Sequence, residues 1–165
     1  PGAAAGVRPT VDGMMDDLVL ARALHVLGVI HWIGGLAFVT LVVLPLSRSE
    51  AGGGLVLFQA VERRFSTQVR LSVPLVGATG FWMTWRLDLW ARFADTEYWW
   101  MGAMLGLWLL FMLLLFVIEP LMARRAGPDD PTAAIRRLLL AHRVLLAAAA
   151  ATALGAVAGT HGFSF

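Results

Sequence analysis

Long apolar segments dominate the pattern of hydrophobic and polar positions along this chain. Between residues 18 and 45 the only ionisable side chains are those of Arg22, His25 and His31. A helix crosses a bilayer with about 20 mostly apolar residues, so this segment predicts a first membrane span. The whole pattern predicts an all-α fold, an integral membrane four-helix bundle in a single domain over 17–162. The predicted spans are about 18–45, 71–90, 99–121 and 134–159.

The segments around the spans predict three further features. Residues 1–16 are small and polar and contain no apolar core, which predicts a flexible N-terminal tail rather than a secretory signal. Apolar residues recur near helical spacing over 55–70, with Glu62, Arg63 and Arg64 among them. That pattern predicts an amphipathic interfacial helix before the second span. Proline ends helices, so Pro45 is expected to close the first helix and Pro120 the third.

Composition supports a membrane protein and narrows the chemistry. Hydrophobic residues make up 59% of the chain and charged residues 15%, whereas soluble domains average about 45–50% and 25%. There is no cysteine, which excludes disulfides, thiolate zinc sites, Fe–S clusters and haem attached through cysteine. Any metal must therefore be bound by histidine, methionine, carboxylate or backbone groups. A net charge of only +2 gives no reason to expect a nucleic-acid partner.

The arginines predict the orientation in the membrane. Four spans place both termini on one side, which carries four of the 13 basic residues, while the opposite side carries nine. Basic residues concentrate on the cytoplasmic side of membranes. We therefore expect a multi-pass protein of the bacterial inner membrane with both termini on the periplasmic side. The nine are Arg48, Arg63, Arg64, Arg70, Arg124, Arg125, Arg136, Arg137 and Arg143.

Four histidines are the candidate ligands of a metal ion or a haem: His25 and His31 in the first span, and His142 and His161 in or near the fourth. Polar side chains are costly inside lipid and therefore often mark function. Pairing by depth joins His25 with His161 and, less closely, His31 with His142. Imidazole suits copper, and thioether favours Cu(I), so Met83, Met101 and Met104 are secondary candidates. Alternatively, histidines on facing helices could hold haem b.

Other residues favour structural roles. Glu119 lies at the predicted depth of Arg70 and Arg143, which favours an ion pair at a helix end over a proton relay. Small residues recur along the first and fourth helices and predict close packing, within the chain or in a homo-oligomer or larger complex. They are Ala21, Gly28 and Gly35, and Ala151, Gly155 and Gly159. No motif identifies a catalytic residue, so the sequence gives no reason to expect an enzyme.

Short motifs resemble one known family. The run Leu24-His25-Val26-Leu27-Gly28, followed by Trp32-Ile33-Gly34-Gly35 and Pro45, resembles the first helix of CopD-like bacterial membrane proteins. That resemblance implies copper handling, with His25 the first residue to carry over. The chain is more distantly similar to HemJ-like protoporphyrinogen oxidases, which use a lysine as well as histidine, and this chain has no lysine. Three functions stay open: copper binding or handling, a b-type haem electron carrier, and a non-catalytic accessory subunit of a respiratory or photosynthetic complex with structural histidines.

Overall fold

The part of the chain that the structure describes folds into four long helices. The computed structural model describes residues 11–49, 54–121 and 131–161, and within these ranges it contains no strand. The prediction of an all-α fold is therefore confirmed. The long helices are α1 (Val11–Phe38), α3 (Gly54–Arg86), α4 (Trp99–Leu113) and α5 (Pro131–Thr160). A short helix α2 (Leu44–Ser49) follows α1, and two 3-10 helices (Trp90–Ala94 and Thr96–Tyr98) precede α4.

The first helix is longer at both ends than the sequence predicts. It begins at Val11, so 11–16 are helical, while 1–10 lie outside the described residues. Pro45 does not end it: a π-helical turn over Val39–Val43 leads directly into α2. In this turn the Leu44 N–H donates to the carbonyl of Val39. The wider turn accommodates a proline, which has no N–H and crowds the carbonyl of the preceding turn.

A π-helical turn also precedes the second proline, Pro120. A π-helical turn over Leu114–Ile118 ends with the Glu119 N–H donating to the carbonyl of Leu114. The chain is still helical at 119–121, so Pro120 does not end the third helix within the described residues. Both prolines thus follow a π-helical turn, and the chain is described as helical to Ser49 after Pro45 and to Leu121 after Pro120.

Helix α3 joins two elements that the sequence separates. The predicted interfacial helix and second span form one helix of 33 residues, about 50 Å long at 1.5 Å per residue. It ends at Arg86 rather than near residue 90, because Asp88 adopts a φ of 50° and the Leu89 N–H donates back to the Thr84 carbonyl. Aspartate is one of the residues that tolerate this left-handed conformation.

Helices α1 and α3 run antiparallel and pack along most of their length. Contacts extend from Asp17 beside Arg86 at one end to Gly35 beside Phe65 near the other. The core between them, closed by α4, is nearly inaccessible: Trp32 is 3% and Val73 0% exposed. The Trp32 indole meets the ring of Phe111 edge-on, with 4.7 Å between ring centroids. The glycines of the α1 stripe therefore serve packing within the chain.

Helix α4 packs against α3 and α5 through its tryptophans. The Trp108 indole lies over Gly77, where a Cβ would overlap it, and its Nε1–H donates to the carbonyl of Val73 at 2.8 Å. At the start of α4, Trp99 lies against Gly155 and Trp100 against Gly159. The glycines of the α5 stripe are thus also used within the chain.

Within the described ranges, three helical stretches are long and apolar enough to cross a membrane: Asp16–Ser47, Thr96–Leu121 and Arg137–Gly159. Helix α3 does not meet that standard of apolarity. Its buried positions include Ser66, Ser72, Thr79 and Thr84, and these small polar residues face other helices. Three of the four predicted spans are therefore supported by length and composition. The second predicted span, in α3, is not supported by its apolarity.

Candidate functional site around His25

His25 is held between two helices. Its Nδ1 lies 3.0 Å from the carbonyl oxygen of Val76 and 3.1 Å from the hydroxyl of Thr79. A carbonyl can only accept a hydrogen bond, so Nδ1 carries the proton and Nε2 carries the lone pair of the neutral ring. The Thr79 hydroxyl itself donates to the Leu75 carbonyl at 2.7 Å. The ring of His25 is therefore fixed in one tautomer and one orientation.

Space beside the imidazole comes from a glycine. A Cβ at Gly80 would lie 3.3 Å from Cε1 of His25, tighter than ordinary van der Waals contact between carbons. Nδ1 is the next nearest ring atom, at 3.6 Å, so the glycine leaves room for the Cε1–Nδ1 edge of the ring against α3. Metal-binding histidines are commonly held in this way, with one ring N–H donated to a carbonyl and the other nitrogen left for the ligand.

The other three histidines have different surroundings. Nδ1 of His142 lies 3.0 Å from the Leu138 carbonyl, and Nδ1 of His161 lies 2.8 Å from the Val157 carbonyl. Each of these bonds stays within the histidine's own helix, four residues back. His31 is exposed, with its ring centroid 6.1 Å from that of Phe65. His25 is thus the one predicted histidine that these bonds tie to a neighbouring helix.

The histidines do not form one cluster. Among the described residues, no three His, Asp or Glu side chains are placed to hold a single metal ion. Methionine offers a further donor: Met83 is half-buried and follows Thr79 by four residues on α3, which places both on the same helix face one turn apart. Met101 is buried and Met104 half-buried near the start of α4. The arrangement brings Met83 to the helix face that holds His25.

An ion pair that the sequence analysis did not single out lies at the same end of α3. Arg86 Nη2 is 3.0 Å and its Nε 3.2 Å from Oδ2 of Asp17. The guanidinium also lies over the rings of Trp82 and Trp85, at 5.8 and 6.0 Å from their centroids. The signal in the sequence was a pair of opposite charges at matching ends of two antiparallel helices. This pair fixes the register of α1 against α3.

The opposite end of α3 carries a second charged cluster. Arg70 Nη2 lies 3.2 Å from Oε1 of Glu119, and the Ser66 hydroxyl lies 2.8 Å from both carboxylate oxygens. The structure therefore pairs Glu119 with Arg70, one of the two arginines expected at its depth. Ser66 was not predicted from the sequence.

Glu62 lies near this cluster on the segment of α3 that precedes the predicted second span. Burial, and secondarily the negative charge of Glu119, raises the pKa of its carboxyl above the ordinary value. A raised pKa means that the folded protein binds this proton more tightly than the unfolded chain does. Stability from this group is therefore fully present below the unfolded pKa and is lost as the pH rises through the folded pKa.

We expect Glu62→Gln to flatten the pH dependence of stability. In the wild type the thermal unfolding midpoint should fall as the pH rises above the ordinary titration range of glutamate and Glu62 ionises, because the pKa of this carboxyl is raised in the folded protein. The variant has no ionisable group at this position, so its midpoint should fall less over the same pH range. Circular dichroism of the detergent-solubilised protein measures both midpoints. Glu97→Gln is the matched control, because Glu97 is exposed in the short helix before α4. Parallel curves for Glu62→Gln and wild type would contradict the prediction.

The fold and these side chains define the class of the molecule: an all-α protein with three helices able to span a membrane, and with polar groups concentrated along the α1–α3 contact. No protein-family model, curated protein or solved structure matches the chain.

Proposed function

We propose that this is a four-span protein of the bacterial inner membrane that binds a metal ion through His25 and serves in copper binding or handling. The observation that carries the proposal is the imidazole of His25, which Val76 and Thr79 anchor through Nδ1. The CopD-like motifs agree with it. In this proposal both termini face the periplasm, and the arginine-rich ends face the cytoplasm.

The second span follows from packing rather than from apolarity. Helix α3 contacts α1 from the Asp17–Arg86 pair to the Phe65 ring beside Gly35. A helix that lies antiparallel to a spanning helix over this length crosses the same bilayer. Its serines and threonines are compatible with that position, because several of their hydroxyls donate to carbonyls of the same helix.

The donor set fits a soft metal in part. His25 supplies one oriented imidazole, and Met83 supplies a thioether on the same face of α3 as Thr79. These donors suit Cu(I). The described His, Asp and Glu side chains supply no three-membered set, so a complete centre needs thioethers or a donor from a second polypeptide. When bound, the metal would supply a soft, redox-active centre within the membrane, and His25 would orient and hold it.

Metal binding by variants of the purified protein tests the proposal. We expect the wild type to bind Cu(I) in competition with a chromogenic chelator. His25→Ala should lose more than about tenfold in affinity, since even groups that only orient a ligand contribute about 10–100-fold. Met83→Leu should weaken binding less, and His142→Ala should leave it unchanged, because His142 is bonded within its own helix.

Two results would overturn the copper proposal. One is a wild-type protein that binds no copper; the other is a loss caused by His142→Ala but not by His25→Ala. An oxidised-minus-reduced optical spectrum with iron analysis of the same sample tests the haem alternative. A Soret band with a reducible α-band and stoichiometric iron would identify a b-type cytochrome instead.

A second candidate function is that of a non-catalytic accessory subunit of a larger membrane complex. One observation favours it: Gly102 and Gly106 of α4 have no neighbouring atom within 4 Å of the position of a Cβ. Their spacing is that of small residues through which membrane helices associate. A chain that is monomeric and stable alone in detergent would argue against this role.

A further inference from the structure

A groove separates α4 from α5 at the arginine-rich end of the molecule. It has a volume of about 420 Å³ and is lined by Leu110 of α4, by Leu114 of the π-helical turn that follows, and by Leu140, Ala141 and Val144 of α5. Arg137 is the polar residue in its lining. The α5 residues follow one helix face over two turns, so the groove runs about 12 Å along the axis.

The two helices differ in how they meet at their two ends. At the far end Gly155 and Gly159 let α5 approach Trp99 and Trp100 of α4 closely. At the groove, leucines and valine replace the glycines, and Leu114 begins the π-helical turn of α4. Larger side chains hold the helices apart, so the groove is part of the packing.

The groove combines an apolar trough with a cation at the membrane boundary. Arg137 is the first residue of the apolar stretch Arg137–Gly159, and the antiparallel stretch of α4 ends at Leu121. The guanidinium therefore lies at headgroup depth, and the leucines lie at acyl-chain depth. The described side chains at this end include five arginines and two glutamates. They are Arg63, Arg64, Arg70, Arg137 and Arg143, and Glu62 and Glu119.

We infer that the groove between α4 and α5 binds an anionic phospholipid, with one acyl chain along the leucines and the phosphate paired with Arg137. Arginine binds phosphate through two parallel N–H bonds. The excess of arginine at this end favours a headgroup with net negative charge over a zwitterionic one. The inference depends on the proposed membrane placement and is independent of copper binding.

Native mass spectrometry of the metal-free, detergent-purified chain tests the inference, with dioleoyl phosphatidylglycerol and dioleoyl phosphatidylcholine as probes. We expect one tightly retained phosphatidylglycerol and about a fivefold preference over phosphatidylcholine. Arg137→Gln should abolish the preference. Arg143→Gln is the matched control, an exposed arginine on the same helix outside the groove, and should keep it.

A second pair of variants tests the apolar part of the site. Ala141→Phe should fill the groove and release the lipid, while Ala147→Phe, at an exposed position outside the groove, should retain it. Equal effects of the two arginine variants, or of the two alanine variants, would overturn the inference. So would displacement of the lipid by inorganic phosphate, which would indicate a simple anion site. Recovery of the chain from the membrane fraction is scored first, so failure of the membrane placement is distinguished from failure of the groove.

Discussion

Trp32→Ala is expected to destabilise the fold more than Gly35→Ala or Trp90→Ala. Trp32 is 3% exposed and lies in the core with Val73 and Phe111. Removing a buried tryptophan side chain costs about 3–5 kcal/mol in water-soluble proteins. Lipid and detergent chains are as apolar as the core, so the transfer part of this cost shrinks and the packing part remains. We therefore expect about 3 kcal/mol, measured by titration of the solubilised protein with dodecyl sulfate and detected by helical circular dichroism.

Two controls separate packing from hydrogen bonding at this position. Among the described residues the buried Nε1 of Trp32 has no hydrogen-bond partner, so Trp32→Phe loses no such bond and should cost far less than Trp32→Ala. Trp90→Ala removes an indole that is 48% exposed and should cost less than about 1 kcal/mol. Equal losses for Trp32→Ala and Trp90→Ala would show that the core around Trp32 does not stabilise the fold.

The apolar pattern was sufficient to predict the helices but not how they continue past proline. The existence and the approximate positions of four long helices followed from runs of apolar residues. The third helix is described as far as Leu121, one residue beyond Pro120, so its predicted end there stays a prediction. The end predicted at Pro45 was wrong, because a π-helical turn precedes that proline and the chain stays helical to Ser49. Such a turn depends on a single hydrogen bond to the fifth residue back, which hydrophobic periodicity does not encode. The end of α3 at Arg86 similarly depends on the φ angle of one residue, Asp88.

The sequence singled out the residue at the centre of the candidate site but not the residues that it contacts. His25 was identified from its polarity within an apolar segment, but its partners Val76 and Thr79 lie 51 and 54 residues away in the chain. Their proximity follows from the register of α1 against α3, which the sequence alone does not specify. For Glu119, two arginines were expected at the same depth, and the structure pairs it with Arg70. The depth of a residue along its helix was predictable from the sequence, whereas the neighbouring helix that its side chain contacts was not.

The pairing of histidines across helices stays a prediction. Depth alone placed His25 with His161 and His31 with His142. In the structure the Nδ1 atoms of His142 and His161 are bonded within their own helices, and His31 is exposed. A histidine can satisfy one ring nitrogen on the carbonyl four residues back, so a polar residue at the right depth does not by itself define a shared site.

Gly35→Ala is expected to weaken the contact between α1 and α3 that holds His25 in register. A Cβ at residue 35 would overlap the ring of Phe65 on α3. Forcing extra atoms into a packed contact costs about 1–3 kcal/mol, and the gain in helix propensity from alanine offsets at most about 1 kcal/mol of it. We expect a net loss of about 1–2 kcal/mol in the same unfolding titration.

The adjacent glycine supplies the control for this prediction. Gly34 has no atom within 4 Å of the position of a Cβ, so Gly34→Ala keeps the packing and gains helix propensity. It should leave stability unchanged or raise it slightly. Gly35→Ala should also weaken Cu(I) binding if the register of the two helices orients His25, since the imidazole is held by α3. Unchanged stability of Gly35→Ala relative to Gly34→Ala would show that α1 and α3 separate more readily than their packing indicates. That result would also count against the proposed span of α3 beside α1.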